Sequence, residues 1–200
     1  MGEVQGLRLF VAVALPEEVR SILRETVSHL RHSLAADRVR WVRPEGMHLT
    51  LKFLGQVEAG RVQGVEQALG EAVHHLISFR LCLADLGTFG GRHGVRVAWV
   101  GLDGDLSALE HLAGHVERSL VSLGFPRSQR PFRAHLTLGR VREGVPRSGR
   151  ERIRQAVNRS VPFSRPFFRV DEIHLMQSRL HPGGARYQRI TGFPLRGAIL

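Results

Sequence analysis

The chain has 200 residues, of which 42% are hydrophobic and 24% charged, values typical of a globular protein that exclude a disordered or fibrous chain. Its net charge of +11 favours polyanionic partners such as nucleic acid. Nearly all of the positively charged residues are arginine, however, and genome composition explains this preference equally well. The single cysteine, Cys82, excludes an intramolecular disulfide and fits a reducing compartment. The N-terminal apolar run is too short to span a bilayer, so we expect a cytoplasmic protein without a membrane anchor.

The first part of the chain alternates strands with amphipathic helices. Leu7 to Leu15 has the alternation of a strand, and Pro16 opens a helix that runs to about Leu34. Two strands separated by a turn, and then a helix, are predicted over Arg38–Val42, Met47–Leu54 and Arg61–Leu76. These segments form a β-α-β-β-α half.

The second part contains hairpins as well as helices. A glycine-rich stretch, Gly87 to Gly94, is predicted as the turn between two alternating strands, Phe79–Leu86 and Val95–Leu102. Further along we expect helices over Leu106–Leu123 and Ser148–Asn158, and strands over Phe132–Val141, Phe167–Val170, Glu172–Ser178 and Arg186–Thr191. Hairpins joined to helices predict an α+β fold with mostly antiparallel sheets.

One short segment occurs twice. Met47-His48-Leu49-Thr50-Leu51 recurs as Ala134-His135-Leu136-Thr137-Leu138, and each copy precedes a helix. Because strand side chains alternate between faces, His48, Thr50 and Lys52 should share one face, with Leu49, Leu51 and Phe53 on the other. If two similar halves pack about a pseudo-twofold axis, both histidines converge in one cleft.

Two histidines on either side of one phosphorus atom suit the hydrolysis of a cyclic phosphodiester. One neutral imidazole takes a proton from the attacking water, while the other, as imidazolium, protonates the departing ribose oxygen. Hydroxyls of Thr50 and Thr137 can donate hydrogen bonds to the non-bridging phosphate oxygens. A single copy is more simply explained as an amphipathic strand, so the case depends on the pair. The sequence leaves open which histidine is the acid and which the base.

The residues around both copies resemble the motifs of the 2H phosphoesterase superfamily, and within it the RNA 2′,3′-cyclic phosphodiesterases, historically named 2′-5′ RNA ligases. The similarity covers Arg40 to Gly55 and Pro131 to Arg140, and segments near both chain ends extend it over nearly the whole sequence. It implies one two-lobed domain over residues 1–200, with pseudo-twofold related sheets, helices on the outer faces and a central cleft.

The resemblance also implies roles for particular residues. His48 and His135 are the expected catalytic pair, Thr50 and Thr137 the expected phosphate ligands, and Arg140 the expected phosphate-binding cation. Strict alternation points Arg140 away from His135, however, so its role requires a strand end or a bulge at Gly139.

Aromatic residues are candidates for stacking on a nucleobase. Tyr187 is a candidate substrate contact, whereas alternation favours core packing for Phe53. Basic residues also lie around the second histidine motif, where a phosphate-binding protein needs them: Arg127, Arg130, Arg133, Arg140 and Arg142.

The expected partner is therefore RNA with 2′,3′-cyclic phosphate ends, tRNA fragments included, and the resemblance extends to joining of RNA halves through a 2′-5′ bond. No cofactor and no metal are expected, since the helical pair His111 and His115 lacks a third ligand. A monomer is expected. Two alternatives stay open: a phosphodiesterase for a small cyclic nucleotide, and a non-catalytic module that binds RNA or nucleotides.

Overall fold

Strands and helices alternate through most of the chain in a computed structural model, which describes residues 6–34, 38–92, 94–159, 163–181 and 184–197. The strands are β1 Leu7–Ala14, β2 Val39–Trp41, β3 His48–Val57, β4 Phe79–Gly91, β5 Gly94–Gly104, β6 His135–Val141, β7 Phe168–Val170, β8 Glu172–His181 and β9 Gly184–Pro194. The α-helices are α1 Glu17–Ser33, α2 Val62–Val73, α3 Leu106–Ser122 and α4 Arg147–Asn158, and a short 3₁₀ turn covers Pro44–Gly46.

The strands form two antiparallel sheets. The first sheet has the order β3-β1-β8-β9, and the second has the order β2-β6-β5-β4-β7. Helix α2 contacts β9, α3 contacts β3 and β4, and α4 contacts β4 and β5. The predicted α+β fold is confirmed. Within the described residues, no helix is long and apolar enough to cross a membrane.

A β-α-β-α unit occurs twice, but the two copies are not the two lobes. The elements β1, α1, β3 and α2 recur as β5, α3, β6 and α4 in the same order, and in each unit the motif histidine is the first residue of the second of these strands. The next long strand after each unit joins the other sheet: β4 pairs with β5, and β8, which follows the three-residue β7, pairs with β1. Each sheet therefore contains strands from both halves of the chain, and neither lobe is a continuous segment.

The leucines of both repeated motifs lie in one core, as alternation predicts. Leu49, Leu51, Leu136 and Leu138 are buried in a single apolar cluster that extends under both sheets. The two motif strands, β3 and β6, also contact each other directly. The motif histidines therefore lie on neighbouring strands, on faces turned away from this shared core.

Each motif strand contains a β-bulge at the same place. In β3, Thr50 pairs with Ala12 and Lys52 with Val11, so Leu51 has no partner on β1. In β6, Thr137 pairs with Trp99 and Gly139 with Ala98, so Leu138 is the extra residue. A bulge reverses the faces of all later residues in the strand.

Because of the bulges, two predicted side-chain orientations are wrong, and the strand irregularity that the predicted orientation of Arg140 requires is present. Lys52 is 4% exposed and lies on the core side, not beside His48 and Thr50 as alternation predicted. Phe53, predicted to pack in the core, is 65% exposed and lies on the histidine face, paired with Phe10. The bulge that Arg140 needed is present, at Leu138 rather than at Gly139.

The predicted glycine-rich turn is mostly strand. β4 continues to Gly91 and β5 begins at Gly94, while His93 lies outside the described residues. Gly87 pairs with Trp99, and any Cβ at position 87 would overlap the indole ring. Because Gly87 has no side chain, the Trp99 ring can pack over it on this face of the sheet.

Gly139 tests the packing at the second bulge. A Cβ at this position would lie 2.7 Å from Cγ1 of Val39 and 2.9 Å from the Trp41 ring, so we expect Gly139→Ala to lower the free energy of unfolding by about 1–3 kcal/mol. Urea unfolding measures this. In the control, Gly64→Ala, the new Cβ meets nothing within 4 Å on a helix and should be neutral or stabilising. Equal effects of the two substitutions would contradict the close packing at Gly139.

Candidate active site

The two motif histidines are held by the same hydrogen-bond arrangement. Nδ1 of His48 donates to the carbonyl of Gly46 over 2.8 Å, and Nδ1 of His135 donates to the carbonyl of Arg133 over 2.7 Å. A carbonyl can only accept, so the proton is on Nδ1 of each neutral ring. Nε2 of each ring is left without a partner in the described part of the protein and is available to take or give a proton.

Aromatic rings fix the orientation of both imidazoles. The rings of Phe10 and Tyr187 have centroids 4.7 and 4.9 Å from that of His48, and Tyr187 meets it edge to face. Phe89 and Trp99 play the same part at His135, with centroid distances of 4.9 and 6.5 Å. Each histidine is therefore confined by its carbonyl and by two rings.

Burial acts on the protonation of His48. Desolvation by the surrounding protein lowers the pKa of His48 from 6.5 to about 4, and the hydrogen bond to Gly46 opposes this only in part. At neutral pH, His48 is therefore an uncharged imidazole whose Nε2 is a proton acceptor.

The two motif threonines lie two residues after the histidines on the same strand faces. Thr50 and Thr137 are half-buried, and their hydroxyls make no hydrogen bond within the described part of the chain. They are free to donate to an anion held between the histidines. Thr137 is also the cross-strand neighbour of Trp99, which places it beside the ring that supports His135.

Arg140 lies on the same face as His135 because of the bulge. It is exposed, and it pairs across the sheet with Val97 on one side and Arg40 on the other. Directly opposite residues in antiparallel strands point to the same face. The face that carries His135 therefore also carries Arg40, directly opposite Arg140, and sequence reasoning had selected only Arg140.

Tyr187, predicted to contact substrate, lies against His48. Its ring also packs on Phe10 at 5.3 Å and on Gly46, where a built Cβ would approach it to 3.2 Å. Tyr187 thus holds both the histidine and the carbonyl to which that histidine donates. A role for Tyr187 in binding substrate stays a prediction.

Several site residues were missed by sequence reasoning. Phe10 and Trp99 lie in apolar alternating strands far along the chain from either histidine, and nothing local distinguishes them from core residues. Phe89 lies in the glycine-rich stretch that was predicted as a turn and belongs to β4. Glycine opposite Trp99 is the one signal, because Gly87 leaves room for a ring. Of the basic residues around the second motif, Arg133 lies near the site, with its guanidinium 5.8 Å from the centroid of Phe89.

Three other histidines lie close together. His75, His111 and His115 stack beside one another at the surface between α2 and α3. Even so, the described residues include no group of three or more His, Cys, Asp or Glu side chains arranged to hold a metal ion.

A buried ion pair connects the first motif strand to the chain that leads into the second. Nζ of Lys52 donates to Glu117 on α3 over 2.8 Å and to the carbonyl of Pro126 over 2.9 Å. Glu117 also accepts from the backbone N–H and the hydroxyl of Ser128. Burial raises the pKa of Glu117, but the hydrogen bonds from Lys52 and Ser128 outweigh burial and hold that pKa below its usual value.

Removing the lysine tests this connection. We expect Lys52→Met to lower the free energy of unfolding by about 3 kcal/mol, because Glu117 then keeps a charge without its cation. A double-mutant cycle with Glu117→Gln, followed by urea unfolding, should give a coupling energy that favours the pair. Additive effects would show that the two side chains do not depend on each other.

Acid should destabilise the protein through His48. Its folded pKa of about 4 lies below the ordinary 6.5, so the unfolded chain takes up the proton first and stability falls as the pH drops through this window. The loss attributable to His48 is at most about 3 kcal/mol. Urea midpoints measured across the window should fall more steeply for the wild type than for His48→Gln. Parallel curves would contradict the buried neutral histidine.

Comparison with known proteins accords with this geometry. A model of the family described as LigT-like phosphoesterase matches the chain twice, over residues 13–99 and 100–187, so each half carries one copy of the family pattern. An RNA 2′,3′-cyclic phosphodiesterase of Methanothermobacter thermautotrophicus is 31% identical over 94% of this chain and 99% of its own length. One of Geobacillus stearothermophilus is 33% identical over 94% of this chain, which spans 57% of that relative's length.

A solved structure agrees over the same extent. Escherichia coli LigT, in complex with 3′-AMP, superimposes with a TM-score of 0.73 at 29% identity, over 96% of this chain and 99% of its own. The family pattern, the relatives and the solved structure all cover both histidine motifs. The chain belongs to the LigT-like phosphoesterase family of the 2H superfamily.

Proposed function

We propose that this phosphoesterase hydrolyses the 2′,3′-cyclic phosphate at the end of an RNA strand to a 2′-phosphate, with two histidines and no metal. The observation that carries the proposal is the matched pair of imidazoles, His48 and His135, each with Nδ1 bound to a carbonyl and Nε2 free. Relatives of this chain are RNA 2′,3′-cyclic phosphodiesterases, and a structural relative binds 3′-AMP.

The chemistry needs one base and one acid. Nε2 of one imidazole removes a proton from water as the water oxygen bonds to phosphorus, and the bond from phosphorus to the ribose O3′ breaks. Nε2 of the other, protonated imidazole delivers a proton to O3′, which leaves as a hydroxyl. The product carries a 2′-phosphate, and proton exchange with solvent restores both rings. The same sequence, with the 5′-hydroxyl of a second RNA strand in place of water, forms a bond from that oxygen to phosphorus as the bond to O3′ breaks, which gives a 2′-5′ linkage.

We assign the base to His48 and the acid to His135. The buried position of His48, between Phe10 and Tyr187, keeps its ring neutral and ready to accept a proton. With the base assigned to His48, the acid is His135, and Arg140 on the same face attracts the anionic substrate towards it. Charge that develops on the phosphate oxygens is then stabilised by Arg140 and the hydroxyls of Thr50 and Thr137.

Aromatic side chains supply contacts for the nucleoside. Phe53 is exposed on the histidine face beside Phe10, with ring centroids 6.0 Å apart, and a base can stack on it. Tyr187 lies at the edge of His48, where its hydroxyl has no partner in the described part of the chain. Together they favour a nucleotide end over an inorganic or purely sugar phosphate.

We further propose that residues 1–200 act as one two-lobed unit, as a monomer, in the cytoplasm. Both motifs come from the same chain, so the site does not require a second copy. The single Cys82 fits a reducing compartment. RNA fragments with cyclic phosphate ends, tRNA fragments included, are the proposed substrates.

The proposal is tested on a short RNA that ends in a 2′,3′-cyclic phosphate, incubated in EDTA. We expect the wild type to yield a 2′-phosphate, identified by mass and phosphatase sensitivity. His48→Ala and His135→Ala should each lose about 10²–10⁴-fold in kcat/KM, because each removes a proton-transfer group.

The matched control is His111→Ala, which removes an exposed histidine far along the chain from both motifs and should keep full activity. Full activity in either motif variant would refute the two-histidine mechanism, and loss of wild-type activity in EDTA would refute metal independence. If the wild type turns over only small cyclic nucleotides, its substrate is a small cyclic nucleotide and not RNA.

A further inference from the structure

A row of four side chains crosses the histidine face of the second sheet at the level of Arg140. Arg40 on β2 lies directly opposite Arg140 on one side, and Val97 on β5 lies opposite it on the other. Phe89 on β4 continues the row beyond Val97. Directly opposite residues of antiparallel strands share a face. Arg40 therefore belongs to the surface that carries His135, although it comes from the chain that leads into the first motif.

The charge of this row lies at its outer end. On the inner side of Arg140 the row is apolar, because it consists of Val97 and Phe89. Arg133 also reaches Phe89, but its guanidinium lies over that ring, 5.8 Å from the centroid, in a cation–π contact. On the outer side, β2 is the edge strand of the second sheet. A polyanionic chain that passes from Arg140 to Arg40 therefore reaches the edge of the sheet and can leave the site there.

Arg40 and Arg140 lack the partners that other opposed arginines have. Among the described strands, two more pairs of arginines lie directly opposite each other, Arg80 with Arg169 and Arg179 with Arg186. Both of these pairs contain arginines that are held within the protein: Arg169 by the Ser78 hydroxyl, Arg80 by the Phe167 ring and Arg179 by Gln177. Arg40 and Arg140 are both exposed, and neither makes a hydrogen bond or an ion pair within the described residues. Because like charges directly opposite each other repel, bound anions would stabilise this pair.

Arg40 lies one strand further from the first phosphate than Arg140 does. His135, Thr137 and Arg140 are all on β6 and supply the proposed acid and ligands for the cyclic phosphate. Neighbouring strands are about 4.8 Å apart, so Arg40 extends the cationic surface by one strand. The next negative charge in an RNA chain is the phosphodiester on the 5′ side of the terminal nucleotide. Two arginines on adjacent strands thus correspond to two successive phosphates.

We propose that Arg40 binds the phosphodiester on the 5′ side of the terminal nucleotide while the cyclic phosphate lies at Arg140. This proposal rests on the proposed function and deepens it, because it gives the site a preference for an RNA end over a mononucleotide. A nucleoside 2′,3′-cyclic phosphate brings only one anion and leaves Arg40 without a partner. An RNA end brings two and neutralises both arginines.

Two dinucleotides test the proposal. Both end in a 2′,3′-cyclic phosphate, and they differ only in the internal linkage, which is a natural phosphodiester or an uncharged methylphosphonate. We expect the wild type to have a kcat/KM about tenfold higher for the charged linkage, as one hydrogen bond to a charged group provides. In Arg40→Gln this ratio should fall to about one, whereas Arg40→Lys should keep part of it. For the charged dinucleotide, the slope of log kcat/KM against log salt concentration should become shallower by about 0.7 in Arg40→Gln, as the loss of one contact to a single strand requires.

The matched control is Arg152→Gln, which removes one exposed arginine from α4. This helix packs through Ile153 and Val157 on the apolar core, on the side of the sheet away from the histidines. The proposal is overturned if the wild type does not distinguish the two linkages, if Arg40→Gln keeps the wild-type ratio, or if Arg152→Gln loses it equally. An equal loss of kcat/KM for both dinucleotides in Arg40→Gln would also overturn it, since Arg40 would then act on the cyclic phosphate.

Failure of the wild type to cleave either dinucleotide would instead refute the proposed function. In that case, isothermal titration calorimetry of both dinucleotides with the wild type and Arg40→Gln still tests Arg40. Tighter binding of the charged linkage by the wild type alone would support the contact, and equal binding of the two linkages would overturn it.

Discussion

A one-residue bulge, three positions after each motif histidine, controls which side chains lie beside the two motif histidines. Without it, strict alternation would place Lys52 next to Thr50 and would turn Arg140 towards the core. With it, Phe53 in one strand and Arg140 in the other come to the histidine face at equivalent positions. The same backbone feature therefore supplies an aromatic surface from one copy and a cation from the other. A nucleobase can stack on the aromatic surface, and a phosphate can bind the cation.

The bulge also turns one residue of each strand into the core, and the two copies meet this constraint differently. In β6 the residue is Gly139, which fits because it has no side chain to collide with Val39 and Trp41. In β3 it is Lys52, whose charge would be costly in the core without its contacts to Glu117 and the Pro126 carbonyl. Those contacts fix the start of the segment that leads to His135, so one buried charge links the two motifs.

The sequence predicted correctly those side-chain positions that depend on local periodicity. It failed for positions that depend on the pairing of strands far apart in the chain. The histidines, the threonines and the leucine core follow from alternation within five residues of the chain. Phe53 and Lys52 were assigned to the wrong faces because a bulge depends on the register with β1, which the motif itself does not encode. The exchange of β4 and β8 between the sheets, and the rings around the histidines, depend likewise on contacts between distant segments.

The exchange of strands also gives the two motif histidines different neighbours. A duplicated unit supplies the same residue types twice, whereas the proposed hydrolysis needs one neutral and one protonated imidazole. The outer strand of the first sheet, β9, has 11 residues and reaches the 3₁₀ turn before β3, which brings Tyr187 onto His48. The strand in the corresponding place of the second sheet, β7, has only three residues and has no such reach. The ring of Tyr187 that encloses His48 thus comes from a strand outside the repeated unit, and the ring of Phe89 on β4 does the same for His135, so the surroundings of both histidines are a property of the assembled sheets rather than of the motifs.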